Sequence, residues 1–198
     1  MKRKIETIDE VVFLRGKRVN LRPPTKADIP YFLRWMNSEE VRQYVTSFLP
    51  VMEADEDEWL ERVRKNKEND VVLVIVDQKT SKPIGVMGIH RINWVSRVAT
   101  TGAIIGEKTY WGKGYGSEAK MLLLQYAFET LNLRKICSLV FGFNERSVAY
   151  SKKCGYRVEG VLKDHHFKNG AYCDEIHMAV FREWWLPIWD RFLQTGRV

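Results

Sequence analysis

Two kinds of hydrophobic pattern alternate along the chain, and the first of them predicts β-strands. Short segments rich in β-branched and aromatic residues, with apolar positions at every second residue or in an unbroken run, are typical of strands. The unbroken run at 71–76 indicates a strand that is buried on both faces. The predicted strands cover residues 11–14, 17–22, 71–76, 84–92, 97–105, 135–141, 156–163 and 171–181.

The second pattern places apolar residues at every third or fourth position and predicts helices. One helix begins after Thr25, and the others cover residues 39–44, 53–67, 117–132 and 145–154. In the helix at 117–132 most polar side chains form one narrow stripe, so the rest of its surface must be covered by the core. The residues of this stripe are Glu118, Gln125, Glu129 and Asn132. The segment 183–193 contains three tryptophans, which we expect in core packing or at the interface of a homodimer.

The order of these elements predicts the fold class. The strand at 97–105, a glycine-rich stretch, the buried helix and the strand at 135–141 form a crossover, and a crossover joins parallel strands. The other strands follow one another as in an antiparallel meander. We therefore expect an α/β (α+β) fold with a mixed, mostly antiparallel sheet. It forms a single domain at 17–198 behind an N-terminal extension at 1–16.

Composition excludes several classes of protein. Of the 198 residues, 45% are hydrophobic, which suits a globular core and disfavours disorder. No apolar run reaches the roughly 18 residues of a membrane span, and the charged N-terminus lacks the apolar core of a signal peptide. We therefore expect a cytoplasmic protein with no membrane partner. The cysteines Cys137, Cys154 and Cys173 lack metal-binding spacing, so we expect reduced thiols and no metal site.

The net charge of +7 favours an anionic partner, such as a phosphorylated cofactor, ribosomal surroundings or nucleic acid. Because the basic residues are scattered, we expect no direct contact with nucleic acid. The acidic run at 53–58 opens a predicted helix, where negative charge complements the helix dipole. The alternative is that this run forms an acidic lip for a cationic substrate.

The glycine-rich stretch at 110–119 is the strongest candidate for a binding site. Gly112, Gly114 and Gly116 alternate with larger residues directly before the buried helix. Glycine permits tight turns and close approach of a ligand, and a helix N-terminus directs unpaired N–H groups and positive dipole at an anion. The backbone from Gly112 to Ser117 is therefore predicted to hold a phosphate group. A tight turn without a ligand is the alternative.

The segment 98–182 resembles the GNAT family of acetyl-CoA-dependent N-acetyltransferases. The loop of that family reads Gln/Arg-x-x-Gly-x-Gly/Ala, and this chain has Trp111-Gly112-Lys113-Gly114-Tyr115-Gly116, in which Trp111 is a departure. Further motifs resemble the RimJ/RimL branch, which acetylates the N-terminal amines of ribosomal proteins. They are Asn144-Glu145-Arg146-Ser147, Lys153-Cys154-Gly155-Tyr156, Glu159-Gly160 and Asp174. Close relatives of that branch acetylate polyamines, other small amines or antibiotics.

The resemblance implies acetyl-CoA as co-substrate and a sheet whose central parallel pair splays apart, with helices on both faces. The pantetheine arm would pair with the backbone near Ile104 and Ile105, and the pyrophosphate would lie on the loop. The predicted loop contacts are Gly112, Lys113, Gly114, Tyr115, Gly116 and Ser117. We also assign Asn144, which caps the next helix, to the cofactor site.

The departing thiolate needs a proton donor, and the resemblance leaves three candidates for it. The family often has a tyrosine seven residues after the capping asparagine, but here that position is Ser151 and Tyr150 precedes it. The RimJ/RimL branch carries a serine at the position of Ser147. We therefore rank Ser147 first as the catalytic hydroxyl, Tyr150 second and Ser151 third.

The base that deprotonates the acceptor amine is less well determined. Glu107 follows the strand that would splay, whereas Glu159, Asp174 and the pair His165-His166 are weaker candidates. His90 and His177 lie in predicted strands and are expected to be structural. Solvent can also accept the proton, in which case the protein supplies no base.

The predicted function is transfer of an acetyl group to a primary amine by direct attack in a ternary complex. The acceptor is a protein N-terminus of the ribosomal-protein type, a polyamine or another small amine. The alternative, suggested by Trp111 and the displaced tyrosine, is a catalytically silent acyl-CoA-binding regulatory domain. A nucleotide-binding module is disfavoured because no Gly-Lys-Ser/Thr ends the loop.

Overall fold

A computed structural model describes residues 11–198, so residues 1–10 of the predicted extension lie outside the described part of the chain. The strands are β1 (Leu14–Arg15), β2 (Val19–Arg22), β3 (Val71–Asp77), β4 (Pro83–Asn93), β5 (Val98–Ile105), β6 (Lys135–Phe141), β7 (Arg157–Lys168) and β8 (Ala171–Phe181). The helices are α1 (Ile29–Asn37), α2 (Glu39–Arg42), α3 (Glu53–Lys65), α4 (Tyr115–Gln125), α5 (Glu145–Lys153) and α6 (Arg182–Thr195).

The eight strands form one sheet in the order β1-β2-β3-β4-β5-β6-β8-β7. Every neighbouring pair is antiparallel except β5 and β6, which confirms the predicted mixed sheet with one crossover. The parallel pairing covers only Val98–Thr100 opposite Lys135–Cys137. Both strands continue beyond this point without pairing to each other, so the middle of the sheet opens into a cleft between β5 and β6.

Helices cover both faces of the sheet, as predicted. Val74 and Val76 on β3 pack with Phe32, Trp35 and Val41 from α1 and α2. The alternate residues of β3 point to the other face, where α4 and α6 bury their apolar side chains in the larger core cluster. The sheet that contains the β5–β6 cleft is therefore covered by helices on both of its faces.

The predicted strands and helices are confirmed with shifted ends. The extension contributes β1, which pairs with β2 and overlaps the strand predicted at 11–14 only at Leu14. The segment at 183–193 lies in helix α6, and Trp185 and Trp189 are buried in the core, so core packing explains these two rings. Asn169 and Gly170 both have positive φ, which confirms the predicted hairpin turn between β7 and β8.

Helix α4 differs most from its prediction. It begins at Tyr115 rather than at residue 117 and changes at Tyr126 into a π-helical turn that ends at Thr130. The predicted polar stripe is wrong at Glu118, which is almost completely buried, and Lys120 is buried on the same helix. The burial of these two charged side chains has consequences for the candidate site. In the part of the chain that the structure describes, no helix has the length and apolarity needed to cross a membrane.

Candidate functional site

The glycine loop has the backbone geometry of an anion cradle. Gly112 and Gly114 adopt φ values of +72° and +84°, and Gly114 is the N-cap of α4. A left-handed residue directly before the helix turns the chain so sharply that α4 starts two residues before the predicted position. The loop and the first turn of α4 therefore direct unpaired N–H groups and the positive end of the helix dipole to one place.

A buried carboxylate anchors this loop to strand β2. Oε1 of Glu118 accepts hydrogen bonds from the backbone N–H groups of Lys17 and Arg18, both at 2.7 Å, and Oε2 accepts from Nε of Arg18 at 2.9 Å. The Arg18 guanidinium also donates to the carbonyl oxygen of Lys113 at 2.9 Å and lies over the ring of Tyr115. Arg18 thus adds a positive charge beside the loop, and nothing in the sequence pattern indicated this, since about 100 residues separate the partners.

Replacing Glu118 with alanine is expected to destabilise the fold strongly. The substitution removes the acceptor of the backbone N–H groups of Lys17, Arg18 and Val19 and of the Arg18 guanidinium, which costs about 3 kcal/mol. For a chain of this size that loss lowers Tm by about 6–12 °C. Thermal unfolding measures the shift. Glu129→Ala, which removes an exposed glutamate near the end of the same helical segment, is the matched control with little change. Equal Tm values for the two variants would contradict the anchoring role.

The open edge of β5 supplies polar backbone groups to the cleft. The N–H of Gly106 donates to the carbonyl oxygen of Ile84 on β4, and the antiparallel alternation then turns Ile104 toward β4 as well. By the same alternation, the N–H and C=O groups of Ala103 and Ile105 point into the cleft. The predicted pantetheine pairing can therefore use Ala103 and Ile105, whereas the backbone of Ile104 is engaged with Val86.

Trp111, which departs from the family pattern, closes part of this edge. Its indole N–H donates to the carbonyl oxygen of Ile105 at 2.6 Å. Its ring also packs with the α1–α2 cluster and carries the guanidinium of Arg146 at 4.2 Å from its centroid. The side chain thus ties the start of the loop to the cleft, and it lies on the opposite face of the sheet from the Ile105 side chain.

Helix α5 carries the three candidate hydroxyl groups. The Asn144 side chain accepts from the N–H of Ser147 at 3.1 Å, which confirms that Asn144 caps the helix. The Ser147 side chain takes no part in that cap. The hydroxyl oxygens of Tyr150 and Ser151 are buried and have no hydrogen-bond partner among the described residues. Burial also raises the pKa of Tyr150 well above its ordinary value, so this hydroxyl keeps its proton at neutral pH.

Tyr150 lies between the loop and the open strand. A Cβ placed on Gly116 would lie 3.5 Å from Cγ1 of Ile105 and 3.9 Å from Cε2 of Tyr150. The first turn of α4, the Ile105 side chain at the end of β5 and the ring of Tyr150 therefore pack together. A splayed parallel pair, a glycine loop at a helix N-terminus and a buried proton donor form an arrangement suited to acyl transfer from a phosphorylated thioester.

Comparison with known proteins identifies this arrangement. The family described as "Acetyltransferase (GNAT) domain" matches residues 18–157, which include the loop, the cleft and helix α5. The chain belongs to the GNAT acetyltransferases. It is thus an acetyl-CoA-dependent N-acetyltransferase, as predicted, and the relatives lend no support to the catalytically silent alternative.

Several relatives of this acetyltransferase are described as spermidine acetyltransferases. Spermidine N(1)-acetyltransferase of Escherichia coli (strain K12) is 30% identical over 173 residues, which cover 85% of this chain and 88% of the relative. The enzyme of that name from Vibrio cholerae is 28% identical and covers 86% of this chain and 97% of its own. A crystal structure of spermidine N-acetyltransferase from Vibrio cholerae in complex with CoA and spermine superposes with a TM-score of 0.79 at 25% identity, covering 85% and 98% of the two chains.

Three of the predicted bases of this acetyltransferase are engaged in ion pairs. Glu107 contacts Arg34 and accepts hydrogen bonds from the indole of Trp35 and the ammonium of Lys82, each at 3.0 Å. Burial alone would raise the pKa of Glu107, but these donors outweigh it and lower the pKa, which makes the carboxylate a weak base. Glu159 pairs with Lys135, and Asp174 with Lys163, each on a more exposed surface.

A different carboxylate of the acetyltransferase lies beside the end of β6 that does not pair with β5. Glu175 on β8 is buried, and its two oxygens bond to Nε2 of His166 at 2.7 Å and Nε2 of His177 at 2.8 Å. Glu175 is paired with Phe141 at the free end of β6, and His177 with the exposed Leu139. His177, expected to be structural, therefore belongs to a polar cluster beside the opening. Alternation along β8 places Glu175 and His177 on one face, but only the pairing of β8 with β6 brings them to the cleft.

The acidic run at 53–58 makes contacts within and beside its own helix. Asp55 of the acidic run accepts from the N–H of Met52 and Asp57 pairs with Lys26, which supports the helix-dipole interpretation of that run.

His165, His166 and Glu175 present ligand atoms within 4.8 Å of one another, a spacing that could hold a metal ion. The Glu175 oxygens already accept hydrogen bonds, so the expectation of no metal stays a prediction.

Proposed function

We propose that this enzyme transfers an acetyl group from acetyl-CoA to a primary amine of a spermidine-type polyamine. The observation that carries the proposal is the buried carboxylate of Glu175, held by two histidines beside the end of β6 that does not pair with β5. A carboxylate beside this opening suits a cationic acceptor. The description of several relatives as spermidine acetyltransferases supports the same acceptor.

Aromatic rings lie beside the Glu175 cluster and suit the alkyl segments of such an amine. Phe141 and Phe143 stack at 5.4 Å, Tyr44 lies 6.1 Å from Phe143, and His166 contacts the edge of Phe141 at 4.9 Å. The ammonium of Lys168 lies near carbonyl oxygens of the loop after α2, which brings the β7–β8 hairpin against this wall. The ammonium of Lys168 itself lies over Phe141 at 5.6 Å and the guanidinium of Arg146 over Tyr44 at 5.1 Å, so we assign these rings to the alkyl segments of the amine.

Charge on Glu175 is available at neutral pH. Burial alone would raise the pKa of this carboxyl, but hydrogen bonds and positive charge from His166 and His177 outweigh burial and lower its pKa. Glu175 therefore remains ionised and attracts an ammonium group. As the neutral amine forms, its proton passes to solvent, because a carboxylate with a lowered pKa is a weak base.

The chemical step then follows from the geometry of the cofactor side. The amine nitrogen attacks the thioester carbonyl carbon, and the cleft-facing N–H of Ile105 is placed to donate to the developing oxyanion. The carbon–sulfur bond breaks, and the departing thiolate takes a proton. We assign that proton to the hydroxyl of Tyr150, because it is buried, protonated and unpaired beside Gly116 and Ile105. Ser147 is the second candidate for this role.

A panel of amines tests the acceptor. With acetyl-CoA and a thiol-release assay, we expect kcat/KM for spermidine to exceed that for propylamine by at least about 10-fold, because one charge-assisted hydrogen bond to Glu175 contributes about 1.5–3 kcal/mol. Glu175→Gln should raise KM for spermidine about 10-fold or more and leave KM for acetyl-CoA unchanged. Glu159→Gln, which neutralises an exposed carboxylate on β7, is the matched control and should change neither value.

A protein N-terminus of the RimJ/RimL type is the second candidate acceptor. The net charge of +7 favours it, since a basic surface attracts ribosomal surroundings and repels a free polycation at long range. A short peptide with a free N-terminal amine therefore belongs in the same panel. A kcat/KM for this peptide above that for spermidine would overturn the polyamine proposal and leave acetyl transfer itself intact.

A further inference from the structure

Lys120 on α4 is a charged side chain in the interior of the enzyme. It is 1% exposed, and its ammonium donates one hydrogen bond, to Oγ1 of Thr101 at 2.8 Å. The rings of Tyr156 and Tyr150 lie 5.4 and 5.6 Å from the ammonium nitrogen. Among the described residues, no carboxylate pairs with it. An ammonium has three donors, so this buried cation is only partly satisfied.

Burying such a cation costs free energy of folding, and the described residues offer it no permanent counter-charge. Thr101 is already bonded to the Tyr156 hydroxyl at 2.9 Å and contacts the carbonyl oxygen of Cys137 at 3.3 Å, so the polar network would persist without the lysine. Replacing a buried charge by an apolar side chain of similar size is often stabilising. A functional role would explain why Lys120 is present, if a negative charge forms near its ammonium during the reaction.

Lys120 lies near Tyr150, a side chain that can become negatively charged. Thr101 is the first β5 residue beyond the parallel pairing with β6, so the ammonium lies where the cleft closes. The ring of Tyr150 lies between this ammonium and the point where Gly116 meets Ile105. The Lys120 ammonium thus lies over the ring of Tyr150, whose hydroxyl is buried and has no hydrogen-bond partner among the described residues.

We infer that Lys120 is a positioning residue whose fixed positive charge stabilises the phenolate that Tyr150 becomes in the reaction. The inference rests on the proton-donor role proposed for Tyr150. When the carbon–sulfur bond breaks, the sulfur keeps the electron pair and takes the phenolic proton. Coenzyme A leaves as the thiol, Tyr150 is left as an anion beside the ammonium, and a proton from solvent or from the acceptor amine restores it. The charge is in place before the step, which is where electrostatic stabilisation is most effective.

The titration of Lys120 makes the inference testable by pH. Burial lowers the pKa of this lysine to about 8, opposed weakly by Cys154. The titratable groups that face it are Tyr150 and Cys154 on α5, Tyr156 before β7 and His90 on β4. Burial raises the pKa of the Cys154 thiol to about 12, and that of both tyrosines, so these three stay neutral near pH 8. Burial lowers the pKa of His90, which is neutral there as well.

We expect kcat of the wild-type enzyme to fall as pH rises through about 8, because the ammonium is then lost. In Lys120→Met this decline should be absent, kcat at pH 7 should be about 10–100-fold lower, and the dissociation constant for acetyl-CoA should stay within about 3-fold. The variant should also unfold at a higher temperature at pH 7. That Tm gap should narrow above pH 8, where folded wild type loses the buried charge while the unfolded chain still keeps its proton.

The controls separate this inference from the proposed function. Lys152→Met, at an exposed lysine on α5, should leave kcat and its pH profile unchanged. A Lys120→Met enzyme with wild-type kcat overturns the inference, and so does a wild-type kcat that does not decline between pH 7 and 9.5, even if the variant fails to fold. If Tyr150→Phe retains full activity, the proton-donor proposal fails instead. Loss of activity in Tyr150→Phe with an unaffected Lys120→Met refutes only the role of the lysine.

Discussion

Replacing Gly114 with valine is expected to weaken acetyl-CoA binding by at least about 100-fold, since two or more charge-assisted hydrogen bonds to phosphate are lost at about 1.5–3 kcal/mol each. Gly114 has a φ of +84°, which a β-branched residue adopts only with strain. A Cβ at this position would also lie 3.1 Å from Nη2 of Arg18, the side chain that holds the loop through Lys113. The N–H groups would turn away from their common focus. Isothermal titration with acetyl-CoA measures the loss.

Two other glycines supply controls for this substitution. A Cβ on Gly116 meets its neighbours at 3.5 Å or more, so Gly116→Ala should bind acetyl-CoA within about 3-fold of wild type. Gly160→Ala, on the exposed strand β7 and with open space around its Cβ, should have no effect on binding. Wild-type affinity in a folded Gly114→Val variant would show that the loop is a turn without a phosphate.

Removing the hydroxyl of Tyr150 should lower kcat by about 100-fold or more, which is the usual contribution of a positioned general acid. Tyr150→Phe keeps the ring that packs on Gly116 and Ile105, so KM for acetyl-CoA should change by no more than about 3-fold. The unpaired buried hydroxyl is a cost to folding, and its removal should leave the variant at least as stable as wild type. Steady-state kinetics and thermal unfolding measure the two effects.

The serines of α5 decide between the candidate donors. Ser147→Ala and Ser151→Ala should each retain kcat within about 3-fold if Tyr150 is the donor. The opposite pattern, in which Ser147→Ala loses activity and Tyr150→Phe does not, would establish the order that the family resemblance suggested. Because Ser147 lies one turn before Tyr150 and Ser151 on the same helix, all three variants probe the same side of the cleft.

Local patterns predicted the elements of this enzyme well. Glycines at the positive-φ positions 112 and 114, an asparagine that caps α5, and Asn169-Gly170 at the hairpin turn each have a backbone requirement that few residues satisfy. The crossover from β5 to β6 follows from the order of elements. Because these features depend on neighbours in sequence, the amino-acid pattern was enough to locate the glycine loop and the helix that follows it.

The environment of each side chain was much harder to predict. Glu118 and Lys120 have the polar character of exposed helix residues, yet the fold buries both. Glu107 lies two residues after β5, where we expected a base, but Arg34, Trp35 and Lys82 surround it. Conversely, no sequence pattern indicates a role for Glu175, because only the pairing of β8 with β6 places it beside the cleft.

The sequence by itself therefore determined the order of strands and helices and the position of the glycine loop, and its family resemblance indicated the class of reaction. Tertiary structure alone decided which charged groups are buried, which are paired and which face the cleft. The physical reason is that backbone conformation responds mainly to adjacent residues, whereas the energy of a charge depends on what surrounds it. For Glu118, Lys120 and Glu175 those surroundings come in part from other strands of the sheet, up to 101 residues away in sequence.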